Sequence, residues 1–163
     1  MKKLYIVRHA KSSWVNAQLK DFDRPLNDRG LAAASEMGDR LLKAGIFPDV
    51  IISSPALQAL TTAKLIANRF KNKIDIIEES ELYQASTFLL LNIVNRLSDK
   101  FDNVFLVGHN PGLTDFAEYL SNEQFGNIQT ASLVGIQFDF DSLDLVSSST
   151  GDCFLFDYPK RNA

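Results

Sequence analysis

Apolar residues along this chain follow two rhythms. The first is a set of short runs, Leu4–Val7 within a strand Lys3–Val7, then Val50–Ile52, Ile74–Ile77 and Val104–Val107. Short, nearly continuous apolar runs bounded by polar or turn residues predict strands buried on both faces. The second is helical. Across Asp28–Ala44, Leu31, Ala34, Met37 and Leu41 fall on one face, with Gly45 just past the end. Across Pro55–Phe70, the shared face is Leu57, Leu60, Ala63, Ala67 and Phe70, with Ser54 as N-cap and Pro55 as first helical residue. Ser86–Leu97 and Pro111–Leu120 predict two more helices. Leu133–Phe140 and Cys153–Tyr158 predict two more strands, with a turn and loop over 139–149.

Strands alternating with helices predict an α/β fold: a three-layer α/β/α sandwich with a mostly parallel central sheet. There is no repeat, low-complexity tract or evident linker, and 163 residues suit one domain, 1–163, with a sizeable core. In such sheets ligands bind beyond the carboxyl ends of the strands.

Charge narrows the partners. Seventeen Lys and Arg against 20 Asp and Glu give −3, which offers no protein-wide field for nucleic acid or an anionic membrane. Any anion site must be local. One cysteine, Cys153, excludes an intramolecular disulfide and fits a reducing compartment. The run Leu4–Val7 is too short for a signal-peptide core, and no segment has the length of a membrane span. The expected location is the cytoplasm.

Three strand ends carry the candidate chemistry. The first strand runs into Arg8-His9, the second into Ser53-Ser54-Pro55, and the Val104–Val107 strand into Gly108-His109-Asn110-Pro111-Gly112. These are the chain's two histidines, both just after a buried strand. If their strands are parallel neighbours, His9 and His109 converge on one crevice. Two imidazoles and an arginine suit a phosphoryl group: a guanidinium matches phosphate oxygens, and a neutral imidazole can attack phosphorus. Gly108 and Gly112 suggest close backbone approach, and the helix after Pro111 could aim amides at an anion. Each feature alone also suits an ordinary strand end or turn. Their conjunction points to a site.

The motifs resemble the histidine phosphatase superfamily, which includes the phosphoglycerate mutases. "RHA" at Arg8–Ala10, "RPLNDRG" at Arg24–Gly30, "SSPALQALTTA" at Ser53–Ala63 and "GHNPGL" at Gly108–Leu113 stand in the family's order. The short chain and the "RPL…RG" box are similar to the small SixA-type phosphohistidine phosphatases. The resemblance implies a phosphoglycerate mutase-like fold, with His9 as phosphoryl-accepting nucleophile and Arg8 and His109 on the phosphoryl oxygens. Asn110, in the same loop as His109, is a candidate substrate contact. No metal and no organic cofactor are implied. The implied partner is a phosphorylated protein carrying phosphohistidine, or a small phosphorylated molecule. A mutase is less favoured because the chain is short for one.

One position departs from the family. Its pattern S-P-x-x-R-A places a second phosphate-binding arginine where this chain has Gln58. Gln58 lies off the apolar face predicted for its helix, so it could face the pocket as a neutral donor. Three explanations stand: lower activity; replacement by another cation, Arg24 or Lys11; or phosphate binding without turnover. For the proton donor, Glu81 in "ESELYQAS" is the positional candidate, with Glu78 and Glu79 nearby; all three also read as a solvated acidic turn. Trp14 and Asn16 are candidates for the pocket mouth. Cys153 lacks the Cys-x5-Arg loop of thiol phosphatases and reads as a core thiol, and neither G-x-x-x-x-G-K-[ST] nor G-x-G-x-x-G occurs.

Overall fold

The computed structural model describes residues 1–159. Six strands form one sheet: β1 (Lys2–Arg8), β2 (Val50–Ser53), β3 (Ile76–Glu78), β4 (Asn103–Gly108), β5 (Leu133–Phe138) and β6 (Gly151–Asp157). Four helices connect them: α1 (Asp28–Lys43), α2 (Leu57–Ala67), α3 (Thr87–Asn95) and α4 (Gly112–Ser121). Sheet order is β3-β2-β4-β1-β5-β6. The first four strands in that order are parallel, and the β1–β5 and β5–β6 pairs are antiparallel. The fold is therefore α/β with a mostly parallel sheet, as the alternating pattern predicts.

Strand pleating splits β1 between two cores. Leu4 and Ile6 face a cluster with Leu90, Ile93, Phe116 and Leu120 from α3 and α4. Tyr5 and Val7 face the opposite cluster, with Met37, Leu41, Ala63 and Ile66 from α1 and α2. These two apolar layers are why the inner strands read as unbroken hydrophobic runs. No helix among the described residues is long and apolar enough to cross a membrane.

The predicted face of α1 keeps Ala34, Met37 and Leu41 but loses Leu31, and that of α2 is rotated by about a residue. Leu31 is 41% exposed, and α1 buries Gly30 and Gly38 beside Ala34, Met37 and Leu41. Leu57 is 43% exposed, and α2 buries Gln58, Ala59, Thr62, Ala63 and Ile66. Gln58 therefore lies on the buried face rather than off it. α2 also starts at Leu57 with Ala56 as N-cap, so Ser54 does not cap it and its hydroxyl is used elsewhere. Elsewhere the Ser86 hydroxyl caps α3 by accepting the Leu89 N–H.

The topology singles out one crevice. The chain leaves β1 through α1 toward β2, on one side, and leaves β4 through α4 toward β5, on the other. Adjacent strands whose connections diverge leave a gap at their carboxyl ends, where α/β sheets bind ligands.

Candidate active site

Parallel register places Arg8 beside Gly108 across β1 and β4. The next residues are His9 and His109, and the His9 amide still donates to the Gly108 carbonyl at 3.0 Å. Their ring centroids stand 5.2 Å apart. Both rings line a cleft of about 340 Å3 together with Arg8, Gln58, Asp21 and Asn110.

The proton on His9 is fixed by its neighbour. His9 Nδ1 lies 2.7 Å from the Ala10 carbonyl oxygen. A carbonyl only accepts, so in the neutral ring Nδ1 carries the hydrogen and Nε2 keeps its lone pair. Ala10 is itself held: its N–H donates to Thr62 Oγ1 at 2.9 Å, and that hydroxyl donates to the Gln58 carbonyl at 2.8 Å. α2 thus sets the orientation of the His9 ring through one buried threonine. Burial, and to a lesser degree the Arg8 charge, holds His9 below its ordinary protonation range, partly offset by the Ala10 bond and Asp21. The imidazole is neutral near neutral pH.

His109 is nearly buried, and its Nε2 is 2.8 Å from Ser54 Oγ. Ser54 Oγ also accepts the Ala56 N–H at 3.2 Å, so the hydroxyl ties the His109 ring to the start of α2. Burial, with the neighbouring His9 second, pushes His109 down to about 4. Tyr83 packs edge-on against this ring, with centroids 5.0 Å apart.

Arg8 donates from one terminal nitrogen to the Ile128 carbonyl at 2.7 Å, and its buried Nε–H has no protein acceptor. The same Ile128 carbonyl accepts Asn110 Nδ2 at 3.0 Å, while Asn110 Oδ1 accepts the Thr114 N–H and hydroxyl. Asn110 lines the cleft, but these bonds tie its amide to the segment beneath Arg8. Gly112 is needed where it stands: a Cβ there would lie 2.1 Å from the Ala85 carbonyl oxygen. That contact seats the 83–86 segment against the His109 loop. Gly108 has no such need, since its Cβ would make ordinary contact with Leu113.

Gln58 reaches the cleft. Its Nε2 is 3.5 Å from His9 Nε2 and donates to Asp21 Oδ1 at 3.3 Å. Tyr83 OH donates to Asp21 Oδ2 at 3.0 Å. Asp21 is thus held beside the nucleophile candidate. Its two residue neighbours along the chain, in "KDF", offer no motif that marks it out, and only the fold brings residues 21, 58 and 83 together.

Two expected site residues are not brought to the cleft. Glu81 sits in a 3-10 turn, Ser80–Leu82, that buries Leu82 and turns Glu81 outward, 3.3 Å from Arg96. Arg24 is buried and turned away from the cleft. Its terminal nitrogens donate to the carbonyls of Ser13, Asn16 and Leu19, and its guanidinium lies 3.5 Å from the Trp14 ring centroid. Arg24 braces the loop 11–26 instead of facing a substrate. Of the two candidate cations, Lys11 lines the cleft. Trp14 lines it too, while Asn16 serves the brace through its backbone. Cys153 lies on β6 away from these groups, and burial pushes its thiol up. Among the described residues, no three His, Cys, Asp or Glu side chains gather as a metal-ligand set.

A neutral imidazole lone pair, a second imidazole and an arginine around one concave site define the class: a cleft suited to phosphoryl groups. Sequence comparison agrees, since residues 4–85 match the model of the histidine phosphatase superfamily, branch 1. The chain belongs to this superfamily. A solved structure assigned as the phosphohistidine phosphatase SixA of Agrobacterium tumefaciens is 27% identical, with a TM-score of 0.82 over 97% of this chain and 99% of that one. The protein histidine phosphatase SixA complexed with tungstate shares the fold, with a TM-score of 0.82 at 18% identity over 96% and 97% of the two chains. An uncharacterized chloroplastic protein of Arabidopsis thaliana is 29% identical over 74% of this chain. The match spans 59% of that relative's length. Both SixA structures match this chain over nearly the whole length of each.

Proposed function

We propose that this chain hydrolyses phosphoryl groups through a covalent phosphohistidine on His9 Nε2. The observation that carries the proposal is the His9 tautomer. The Ala10 carbonyl holds the proton on Nδ1, so the Nε2 lone pair is available in the cleft. In the first step Nε2 bonds to phosphorus as the bond to the leaving atom breaks. In the second, water attacks the phosphorus and the P–N bond breaks, returning neutral His9. Arg8, through its unspent Nε–H and cationic charge, and the His109 ring hold the phosphoryl oxygens as charge shifts. Gln58 adds a neutral N–H beside His9. The scheme routes no step through a metal ion or an organic cofactor.

The substrate proposed is phosphohistidine on a protein, as the SixA likeness suggests, with a small phosphorylated compound as the second choice. The open surroundings support a protein. A groove of about 540 Å3, bordered by the exposed Phe88, shares Gln84 and Asn110 with the cleft and gives flanking polypeptide a place to lie. The work is proposed to take place in the cytoplasm.

A second reading follows from Gln58. With a neutral amide at the second arginine position and Asp21 beside it, the domain could bind phosphorylated groups with little turnover. One experiment separates the two. The intact mass of wild type and His9→Ala is measured after rapid mixing with an activated phosphoryl donor and alkaline quench. A phosphate-sized gain in wild type alone is expected. Labelling or turnover retained in folded His9→Ala would sink the mechanism.

A further inference from the structure

Both steps of the scheme move a proton, and Glu81 does not reach the cleft. We propose that Asp21 is the proton donor and acceptor of this site; the inference rests on the His9 reading above. Asp21 is the one carboxylate among the described residues that line the cleft. Both of its oxygens are held from opposite sides, Oδ1 by Gln58 and Oδ2 by Tyr83. The Gln58 amide that holds Oδ1 at 3.3 Å also sits 3.5 Å from His9 Nε2. The carboxylate is therefore one amide group away from the attacking nitrogen. With nucleophile and phosphorus roughly 3–3.5 Å apart at attack, an in-line leaving atom stands about 5 Å from Nε2. Asp21 lines the same cleft as the His9 ring.

Gln58 takes on a role in this arrangement. An arginine at 58 would pair with Asp21 and hold it as a carboxylate. A neutral amide orients Asp21 without placing a fixed charge beside it.

The proton balance then closes. As the P–Nε2 bond forms, the bond from phosphorus to the leaving oxygen or nitrogen breaks, and the Asp21 carboxyl proton passes to that leaving atom. Water next attacks the phosphohistidine, the P–Nε2 bond breaks, and the water proton passes to the Asp21 carboxylate. Phosphate departs, and His9 is again neutral with its hydrogen on Nδ1.

The test compares wild type, Asp21→Asn, Asp21→Glu and His9→Ala on 4-nitrophenyl phosphate and on phenyl phosphate, a poorer leaving group. In Asp21→Asn, kcat/KM on phenyl phosphate should fall about 100-fold or more, and His9 phosphorylation by 4-nitrophenyl phosphate should change little. The phosphoenzyme should accumulate, seen as a persistent phosphate-sized mass gain, because its hydrolysis lacks a base. Asp21→Glu should restore part of the phenyl phosphate activity. Equal losses on both substrates, or none, would overturn Asp21 as the acid while labelled His9 in wild type leaves the His9 mechanism standing. No labelling and no turnover in wild type would overturn both.

Discussion

The position where this chain departs from its family allows a sharp prediction. Gln58→Arg places a guanidinium where the amide now lies, 3.5 Å from His9 Nε2. Gln58 is 1% exposed, but its amide opens into the cleft of about 340 Å3, so the longer side chain has room. A unit charge about 4 Å from another is worth about 4 kcal/mol at an effective dielectric near 20. Asp21 already lies 3.3 Å from the same nitrogen and would take back part of that interaction. The net gain in transition-state stabilisation is about 2–3 kcal/mol, in line with the loss seen when one preorganised donor is removed from such sites. Turnover of 4-nitrophenyl phosphate should rise roughly 30- to 150-fold. Phenyl phosphate should gain less, because the new ion pair withholds the Asp21 proton. Steady-state kinetics on both esters, with inorganic phosphate as competitive inhibitor, would measure both effects. Unchanged turnover and unchanged phosphate inhibition in a folded Gln58→Arg protein would refute the reasoning and show that Lys11 or Arg8 already saturates the phosphoryl oxygens.

Three further outcomes are expected. Unfolded, His109 takes up a proton near pH 6.5; folded, it does so at about 4, chiefly because it is buried. Between those values the unfolded state binds more protons, so stability present above pH 6.5 is lost as the pH falls toward 4. His9 is shifted in the same direction, so kcat/KM should also fall on the acid side as its lone pair is protonated. Urea midpoints at about pH 7 and about pH 4.5 test the first point, and a His109→Gln protein that loses stability just as steeply would assign the effect elsewhere. Arg24→Met removes three donations to loop carbonyls and the stack on Trp14, and should cost about 2–4 kcal/mol. Trp14 is the only tryptophan, so its emission reports the loop directly; an unchanged spectrum and urea midpoint would refute the bracing role.

Much of the fold was legible because its causes are local. Unbroken apolar runs mark strands covered on both faces, and each of the six expected strands is present, within about three residues at either end. Helix existence was equally plain, but the buried face of α2 was not. Its small residues Ala59, Thr62 and Ala63 pack against the sheet, while the bulkier Leu57 stays outside, an order that hydrophobicity alone inverts.

For the candidate site, order along the chain already put Arg8-His9 and His109 at the carboxyl ends of buried strands and a neutral Gln58 where the family pattern has an arginine. That β1 and β4 are neighbours came from folding alone, because strand pairing is a contact between residues a hundred positions apart and leaves no local trace. Packing also decided where the loop residues point. Burial of Leu82 turns Glu81 out to Arg96, and three open carbonyls together with the Trp14 ring draw Arg24 under its own loop. Asp21 carries no motif, and its place beside His9 depends on side chains from two other segments, Gln58 and Tyr83. Residues set by periodicity and strand ends could be read from order along the chain. Those set by hydrogen bonds between distant loops required the folded chain.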